Sequence, residues 1–269
     1  MKRFFKLNGK TLIAMFIAIL LILFIIYANI IHKSIARRKF VEENMKIYQN
    51  NEEPVFKIDK IVLCSSANAI DLSKEKNLQD LSIYQYTDIA VYIDNGEELS
   101  NKNTVKELYI DNIILEGTDD DGIKSLSYKN ILNFGLKEEI KEARETNDIR
   151  FNVIYTNDEN SQADYNEPTF FTDCSNPITF EYLNYDVKTH YKMEENNSVV
   201  FDGSILQDAG ISPSRLECRV RFRINIVNNE NEKYSCPVNF KIPLDDIYNG
   251  TTMKAKDTKG SKYVFFRES

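Results

Sequence analysis

The stretch Cys218-Arg219-Val220-Arg221-Phe222-Arg223-Ile224-Asn225-Ile226 alternates between apolar and polar side chains over nine residues. Successive side chains of a β-strand point to opposite faces, so the five apolar residues would share one face and the four polar residues the other. One buried face and one solvated face are typical of antiparallel sheets. The stretch therefore predicts a half-buried antiparallel strand.

The residues that follow predict the partner strand of a hairpin. Residues 228–232, Asn-Asn-Glu-Asn-Glu, have the composition of a turn, and the alternation resumes beyond them. Centring the turn places Cys218 opposite Ile242 and Cys236 near Ile224. A disulfide between the two cysteines would therefore need a different register.

Short alternating segments between turn-rich spacers continue through most of the chain. They predict strands at 56–63, 88–93, 107–115, 149–155, 178–183, 185–191, 198–201 and 263–266. Helical patterns are sparse and occur at 136–145 and 204–209. We predict a mostly β fold at residues 55–269: a β-sandwich, immunoglobulin-like or related, with one or two short helices. Two smaller sandwiches are the alternative.

An apolar segment precedes this region. Residues 11–31, TLIAMFIAILLILFIIYANII, form 21 consecutive residues without a charge. A helix of that length spans the roughly 30 Å hydrocarbon core of a bilayer. A cleavable signal peptide has a shorter apolar region, and Lys33 separates this one from the small residues Ser34 and Ala36. We predict an uncleaved transmembrane helix at 11–31 that contacts the lipid bilayer.

The flanks of this segment bear on its orientation. A basic tail, 1–10, precedes it, and a polar helical stalk, 32–54, follows it and stops at Pro54. Four cations on each side nearly cancel under the positive-inside rule, which counts Lys and Arg near the ends of the helix. Because the tail is short and purely basic, we predict that it stays in the cytoplasm and that the C-terminal domain is extracytoplasmic.

The charge of the chain is divided unevenly. Residues 1–39 hold eight Lys or Arg and no Asp or Glu, so the remainder holds 26 Lys and Arg against 41 Asp and Glu. That remainder has a net charge of −15. A domain this acidic is repelled by phosphate backbones, so we predict no nucleic-acid partner.

The four cysteines are Cys64, Cys174, Cys218 and Cys236. Outside the cell they would permit two disulfides in three connectivities. None of the pairs has the close spacing of a zinc or redox site. Free cysteine is often a small core residue, so buried thiols are the favoured interpretation and disulfides stay open.

Side chains typical of catalysis are scarce. Histidine occurs only at His32 and His190, too few for a histidine-based zinc site, and no nucleophile motif accompanies them. The acidic run 116–122 does not fit an EF-hand, and 158–167 is equally polar, so both predict solvated turns. We therefore predict no catalytic residue, no metal site and no cofactor.

Three arginines form the one candidate contact site. Arg219, Arg221 and Arg223 would lie about 7 Å apart on one face of a strand. Guanidinium groups pair with carboxylates and phosphates, so the row would suit an anionic polymer or an acidic protein surface. The alternative is pairing with Asp and Glu of neighbouring strands.

These patterns predict a single-pass, membrane-anchored surface protein whose acidic sandwich binds or scaffolds a protein or polymer partner in the envelope. The scarcity of catalytic residue types argues against an enzyme. Two alternatives stay open: an envelope hydrolase that uses carboxylates alone, and a cytoplasm-facing subunit of a membrane complex.

Overall fold

The computed structural model describes residues 9–48, 53–70, 82–117, 122–135, 148–156, 164, 166–187, 189, 202–258 and 263–268. The chain divides into two compact units at the boundary between Glu53 and Pro54. The first unit carries a long helix, and the second, Pro54–Glu268, carries the β-structure.

The helix α1, Gly9–Tyr48, has 40 residues and runs without interruption through 11–31 and most of 32–54. At 1.5 Å per residue it is about 60 Å long. Side chains are described at 16–28, and all of them are exposed. Within the described residues, none of the helices combines the length and apolarity that crossing a membrane requires. The predicted transmembrane helix at 11–31 therefore finds no support there.

The described part of the second unit contains eleven strands and one short α-helix. The strands are β1 (Lys57–Ile70), β2 (Ser82–Asp94), β3 (Val105–Gly117), β4 (Ile123–Tyr128), β5 (Ile149–Ile154), β6 (Thr169–Phe171), β7 (Ile178–Val187), β8 (Cys218–Asn228), β9 (Lys233–Lys241), β10 (Thr252–Asp257) and β11 (Phe266–Arg267). The helix α2 is Ile205–Asp208, and three 3₁₀ turns lie at Ile131–Asn133, Pro213–Leu216 and Ile247–Asn249.

The strands form two sheets. Sheet one has the order β10-β1-β2-β7-β4, and sheet two has the order β11-β9-β8-β3-β5-β6. All pairs are antiparallel except β5 with β6. The prediction of a mostly β fold with few helices is confirmed.

One hydrophobic core joins the two sheets. Its buried residues come from β1, β2, β4 and β7 of sheet one and from β3, β5, β6, β8 and β9 of sheet two. Phe180 on β7 meets Phe222 on β8 edge to face, with ring centroids 5.0 Å apart and planes at 88°. The arrangement is sandwich-like, because each sheet turns one apolar face to the other.

The predicted hairpin has the predicted register. Ile224 faces Cys236, and the Ile242 N–H donates to the Cys218 carbonyl at 2.9 Å.

The four cysteines are free thiols, and all but Cys174 are buried. Burial alone raises the pKa of the Cys236 thiol to about 12. The interpretation as buried thiols is confirmed for these three residues.

Some strands differ from the prediction. The segments predicted at 178–183 and 185–191 form one strand as far as Val187. Strands β4, β6 and β10 were not predicted, because they are short or rich in Lys and Ser. The strand predicted at 198–201 and the helix predicted at 136–145 lie outside the described residues.

Candidate functional site

Arg223, the last of the three predicted contact residues, is held by an acidic residue of β3. Its Nε and Nη2 donate to the two carboxylate oxygens of Asp111, each at 2.8 Å, and Nη1 lies 3.7 Å from Glu268. These hydrogen bonds from Arg223 hold the pKa of Asp111 below its usual value. This guanidinium is therefore committed to an internal, bidentate ion pair.

Arg221 forms a second ion pair across the same two strands. Its Nη2 donates to Glu116, and both side chains are nearly half exposed. A register shift between Asp111 and Ile114 lies between the two arginine pairs. Cross-strand pairing, the alternative drawn from the sequence, thus describes Arg221 and Arg223.

Arg219 has different surroundings. Its Nη1 donates to the neutral Asn239 side chain at 3.2 Å. It lies in the wall of a cleft of about 970 Å³ at the end of the sandwich where β8 begins. The cleft is lined by Leu63, Glu116, Gly117, Ser214, Glu217, Cys218, Arg219, Phe240, Lys241, Ile242, Pro243, Leu244, Asp245, Lys254, Ala255 and Lys256. Arg219 therefore shares the half-buried face of β8 with Arg221 and Arg223 but differs from them in its hydrogen-bond partner.

The cleft gathers cations around an apolar floor. Its walls carry Arg219, Lys241, Lys254 and Lys256. Its three acidic residues are Glu116, Glu217 and Asp245. Glu116 is paired with Arg221, and Asp245 is paired with Lys254. The floor is formed by apolar residues of both sheets, among them Leu63 and Phe240.

Two of these lysines come from an edge strand. β10 pairs with β1 alone among the described strands, and Lys254 faces Leu63 while Lys256 faces Ile61. Residues opposite each other in an antiparallel pair lie on the same face of the sheet. The two lysines therefore lie on the face that carries the core, and Lys256 Nζ is 5.0 Å from the centre of the Tyr263 ring. This placement brings positive charge to the mouth of the cleft.

A second cluster lies on the opposite face of sheet one. Lys129 Nζ is 2.7 Å from Asp88 Oδ1 and 3.1 Å from Glu181 Oε1. The exposed fraction of the side chain is 3% for Lys129, 0% for Asp88 and 18% for Glu181. Burial lowers the pKa of Lys129, but the two carboxylates outweigh it and hold that pKa above its usual value.

Further groups surround this buried cluster. The Gly135 N–H donates to Asp88 Oδ2, and Lys129 Nζ lies 5.4 Å from the centre of the Tyr86 ring. Cys64, on β1, lies opposite Asp88. Burial, together with the charge of Asp88, raises the pKa of the Cys64 thiol. The sequence contained one indication of this cluster, because Asp88 is the only charged residue of β2 before Asp94.

Other residues considered in the sequence have little part in a site. His190 and the acidic residues at 119–121 lie outside the described residues, and the side chain of His32 is not described. Asp164 and Glu167 are exposed. Where the structure describes the chain, no group of three His, Cys, Asp or Glu side chains is arranged to hold a metal ion.

Comparison with protein-family models, curated proteins and solved structures finds no match to this chain. The proposals on function therefore rest on the chemistry of the cleft and of the buried cluster.

Proposed function

We propose that this chain is a single-pass, membrane-anchored protein whose β-sandwich binds an acidic protein segment in the cleft beside Arg219. The observation that carries this proposal is the excess of cations over acidic residues, four against three, at one cleft of a region with a net charge of −15; two of those acidic residues are already paired with cations. Arg219 lies opposite Glu116 in register, but Glu116 pairs with Arg221, and Arg219 donates to the neutral Asn239, which supports a role for its charge in binding a ligand.

The membrane anchor rests on the printed sequence. All 21 residues of 11–31 are uncharged, and a helix of that length suits the hydrocarbon core of a bilayer. Two observations support the anchor: α1 is unbroken across 11–31, and large apolar side chains such as Phe16 and Phe24 are 63% and 69% exposed. Such a surface favours lipid over water. In this proposal the sandwich is extracytoplasmic and the basic tail is cytoplasmic.

The contrast between domain and cleft supports the choice of partner. The acidic surface repels polyanions at long range, so attraction has to come from a local concentration of cations. Arg219 and Lys241 lie directly opposite each other on neighbouring strands of sheet two. Lys254 and Lys256, on β10 of sheet one, are the other two cations of the cleft. A short segment with several carboxylates could reach Arg219, Lys241 and Lys256 while its apolar side chains contact the floor, whereas Lys254 already pairs with Asp245.

The edge strand supports a segment in extended conformation. Residues 253–256 of β10 are exposed, and among the described strands only β1 pairs with β10. An extended peptide can add to such an edge through backbone hydrogen bonds, and its side chains then select the partner. Lysines on an edge strand disfavour the addition of another strand, so a segment that pairs there would need carboxylates that offset their charge.

The test compares variants of the full chain in neutral detergent micelles, with fluorescently labelled poly-L-glutamate as the probe. We expect Arg219→Gln with Lys241→Gln to weaken binding about tenfold, since two exposed charge contacts are lost. The matched control, Lys60→Gln with Arg150→Gln, removes the same charge from residues outside the cleft lining.

Equal affinity of the two double variants would contradict the cleft as the site. Binding of labelled polyphosphate but not of poly-L-glutamate would contradict a protein partner and favour a phosphate polymer. The alternatives of a carboxylate-dependent hydrolase and of a cytoplasm-facing subunit stay predictions.

A further inference from the structure

The buried cluster on sheet one holds an amine and a carboxylate in direct contact, away from water. Lys129 Nζ and Asp88 Oδ1 are 2.7 Å apart, and both side chains are almost completely buried. A third ionisable group, Glu181, lies 3.1 Å from the same nitrogen. Burying three charged groups together is costly, and it is seldom a gain in stability over apolar packing. A reaction among these groups would account for an arrangement that stability alone does not favour.

We propose that Lys129 and Asp88 join in an intramolecular isopeptide bond, with Glu181 as the catalytic residue that moves the protons.

The reaction balances without an external reactant. The Lys129 ammonium passes a proton to Asp88, which leaves a neutral amine beside a neutral carboxylic acid. The amine nitrogen attacks Asp88 Cγ, a C–N bond forms, and the C–O bond to Oδ1 breaks. Glu181 takes the second proton from the nitrogen and returns it to the departing hydroxyl, which leaves as water. Glu181 ends in its starting state.

The surroundings favour each part of this step. The two carboxylates keep Lys129 charged, and burial acts against them, so burial offsets part of the cost of converting the ion pair to the neutral pair. The Gly135 N–H donates to Asp88 Oδ2, the oxygen that carries negative charge when nitrogen adds to Cγ. Holding the two groups in contact replaces an encounter in solution, and exclusion of water opposes hydrolysis of the product.

The register of sheet one brings the three residues together. Asp88 on β2 is opposite Glu181 on β7, and Glu181 is opposite Ser127 on β4. Lys129 follows β4 directly, so its side chain reaches back over β7 to Asp88. The bond would tie the central strand β2 to the edge strand β4, two strands apart. It would close the loop between residues 88 and 129 covalently.

The test is the intact mass of the full chain, measured after reduction and denaturation. The proposal predicts a mass lower by one water than the sequence requires. Proteolysis should then yield a branched peptide that contains both Asp88 and Lys129. Tandem mass spectrometry of that peptide separates an isopeptide bond from a succinimide at Asp88, which also loses water but joins no second peptide.

Variants assign the roles. Glu181→Gln keeps both reacting groups and should abolish or greatly slow the loss of water, and Lys129→Arg should abolish it. Lys57→Arg, at the more exposed ion pair with Asp94, is the matched control and should keep the bond. Circular dichroism establishes that each variant is folded.

The proposal would be overturned if the protein without substitutions had the full mass that its sequence requires and yielded separate linear peptides for Asp88 and Lys129. A bond that forms at an unchanged rate in Glu181→Gln would overturn the role of Glu181.

Discussion

Lys254 on the edge strand β10 lies directly opposite Leu63 on β1, so a charged side chain shares the face of the sheet that carries a core leucine. Leu63 forms part of the floor of the cleft, and Lys254 forms part of its wall. The end of the core thus becomes a charged opening. This relationship links the fold to the proposed binding of an acidic segment.

The buried cluster is expected to be important for stability. Lys129→Met leaves Asp88 and Glu181 as neighbouring carboxylates without their shared cation, which should lower the free energy of unfolding by about 3–5 kcal/mol. Loss of the proposed covalent bond would add to this effect. Urea denaturation followed by circular dichroism measures the change. Lys57→Met, at the exposed pair with Asp94, should cost about 1 kcal/mol or less. Similar losses in both variants would contradict the special role of the cluster.

The contact between the two sheets leads to a second prediction about stability. Phe222 packs edge to face against Phe180 of the other sheet and against Phe240 of its own. Phe222→Ala removes these contacts and leaves a cavity, so the free energy of unfolding should fall by about 3–5 kcal/mol. Tyr155→Ala, at an aromatic side chain that is 58% exposed, is the control and should change it by about 0.5 kcal/mol or less. A small effect of Phe222→Ala would show that the two sheets do not share this core.

The Arg223 pair predicts a dependence on pH. Because hydrogen bonds from Arg223 hold the pKa of Asp111 below 3.8, the folded state binds this proton less readily than the unfolded state. The resulting stability is present above pH 3.8 and is lost as the pH falls through the lowered pKa. The pair is partly exposed, so its contribution should be about 1 kcal/mol or less.

Carbon-detected NMR titration of the Asp111 carboxyl measures this effect. Arg223→Gln should raise the pKa of Asp111 towards its ordinary value and flatten the acid limb of the stability profile. An unchanged pKa in that variant would contradict the assignment of the shift to Arg223.

The membrane anchor is tested by the position of a new thiol. The native thiols are buried or half-buried with raised pKa values, so they should react slowly. A cysteine introduced at the exposed Tyr155 should react in intact cells with a membrane-impermeant maleimide. A cysteine in place of Lys6 should react only after lysis. The reverse pattern would support the cytoplasm-facing alternative, and labelling of both in intact cells would contradict a membrane-spanning segment.

The hairpin of β8 and β9 could be predicted to the residue because its information is local. Alternation fixes the buried face, and the polar turn fixes the register, so the pairing of Ile224 with Cys236 follows from the sequence. The other strands were predicted less well. β10 reads Thr-Met-Lys-Ala-Lys-Asp and owes its strand conformation to pairing with the apolar β1, which its own composition does not indicate.

The two clusters could not be derived in the same way. Lys129 is 41 residues from Asp88 and 52 from Glu181, and only the order of β2, β7 and β4 in the sheet brings them together. The cleft likewise combines Arg219 of sheet two with Lys254 of sheet one. The arginine row illustrates the converse: its spacing was visible, but the acidic partners on β3 were not.

The most direct test of the binding proposal is a reversal of the charge at the cleft. Arg219→Glu with Lys241→Glu, made in the full chain, should abolish binding of labelled poly-L-glutamate at low salt. In the unsubstituted protein the affinity for poly-L-glutamate should fall as salt is added, because exposed charges are screened. Retention of poly-L-glutamate binding by the reversed variant, in a protein that is still folded, would contradict the claim that this cleft binds an acidic partner.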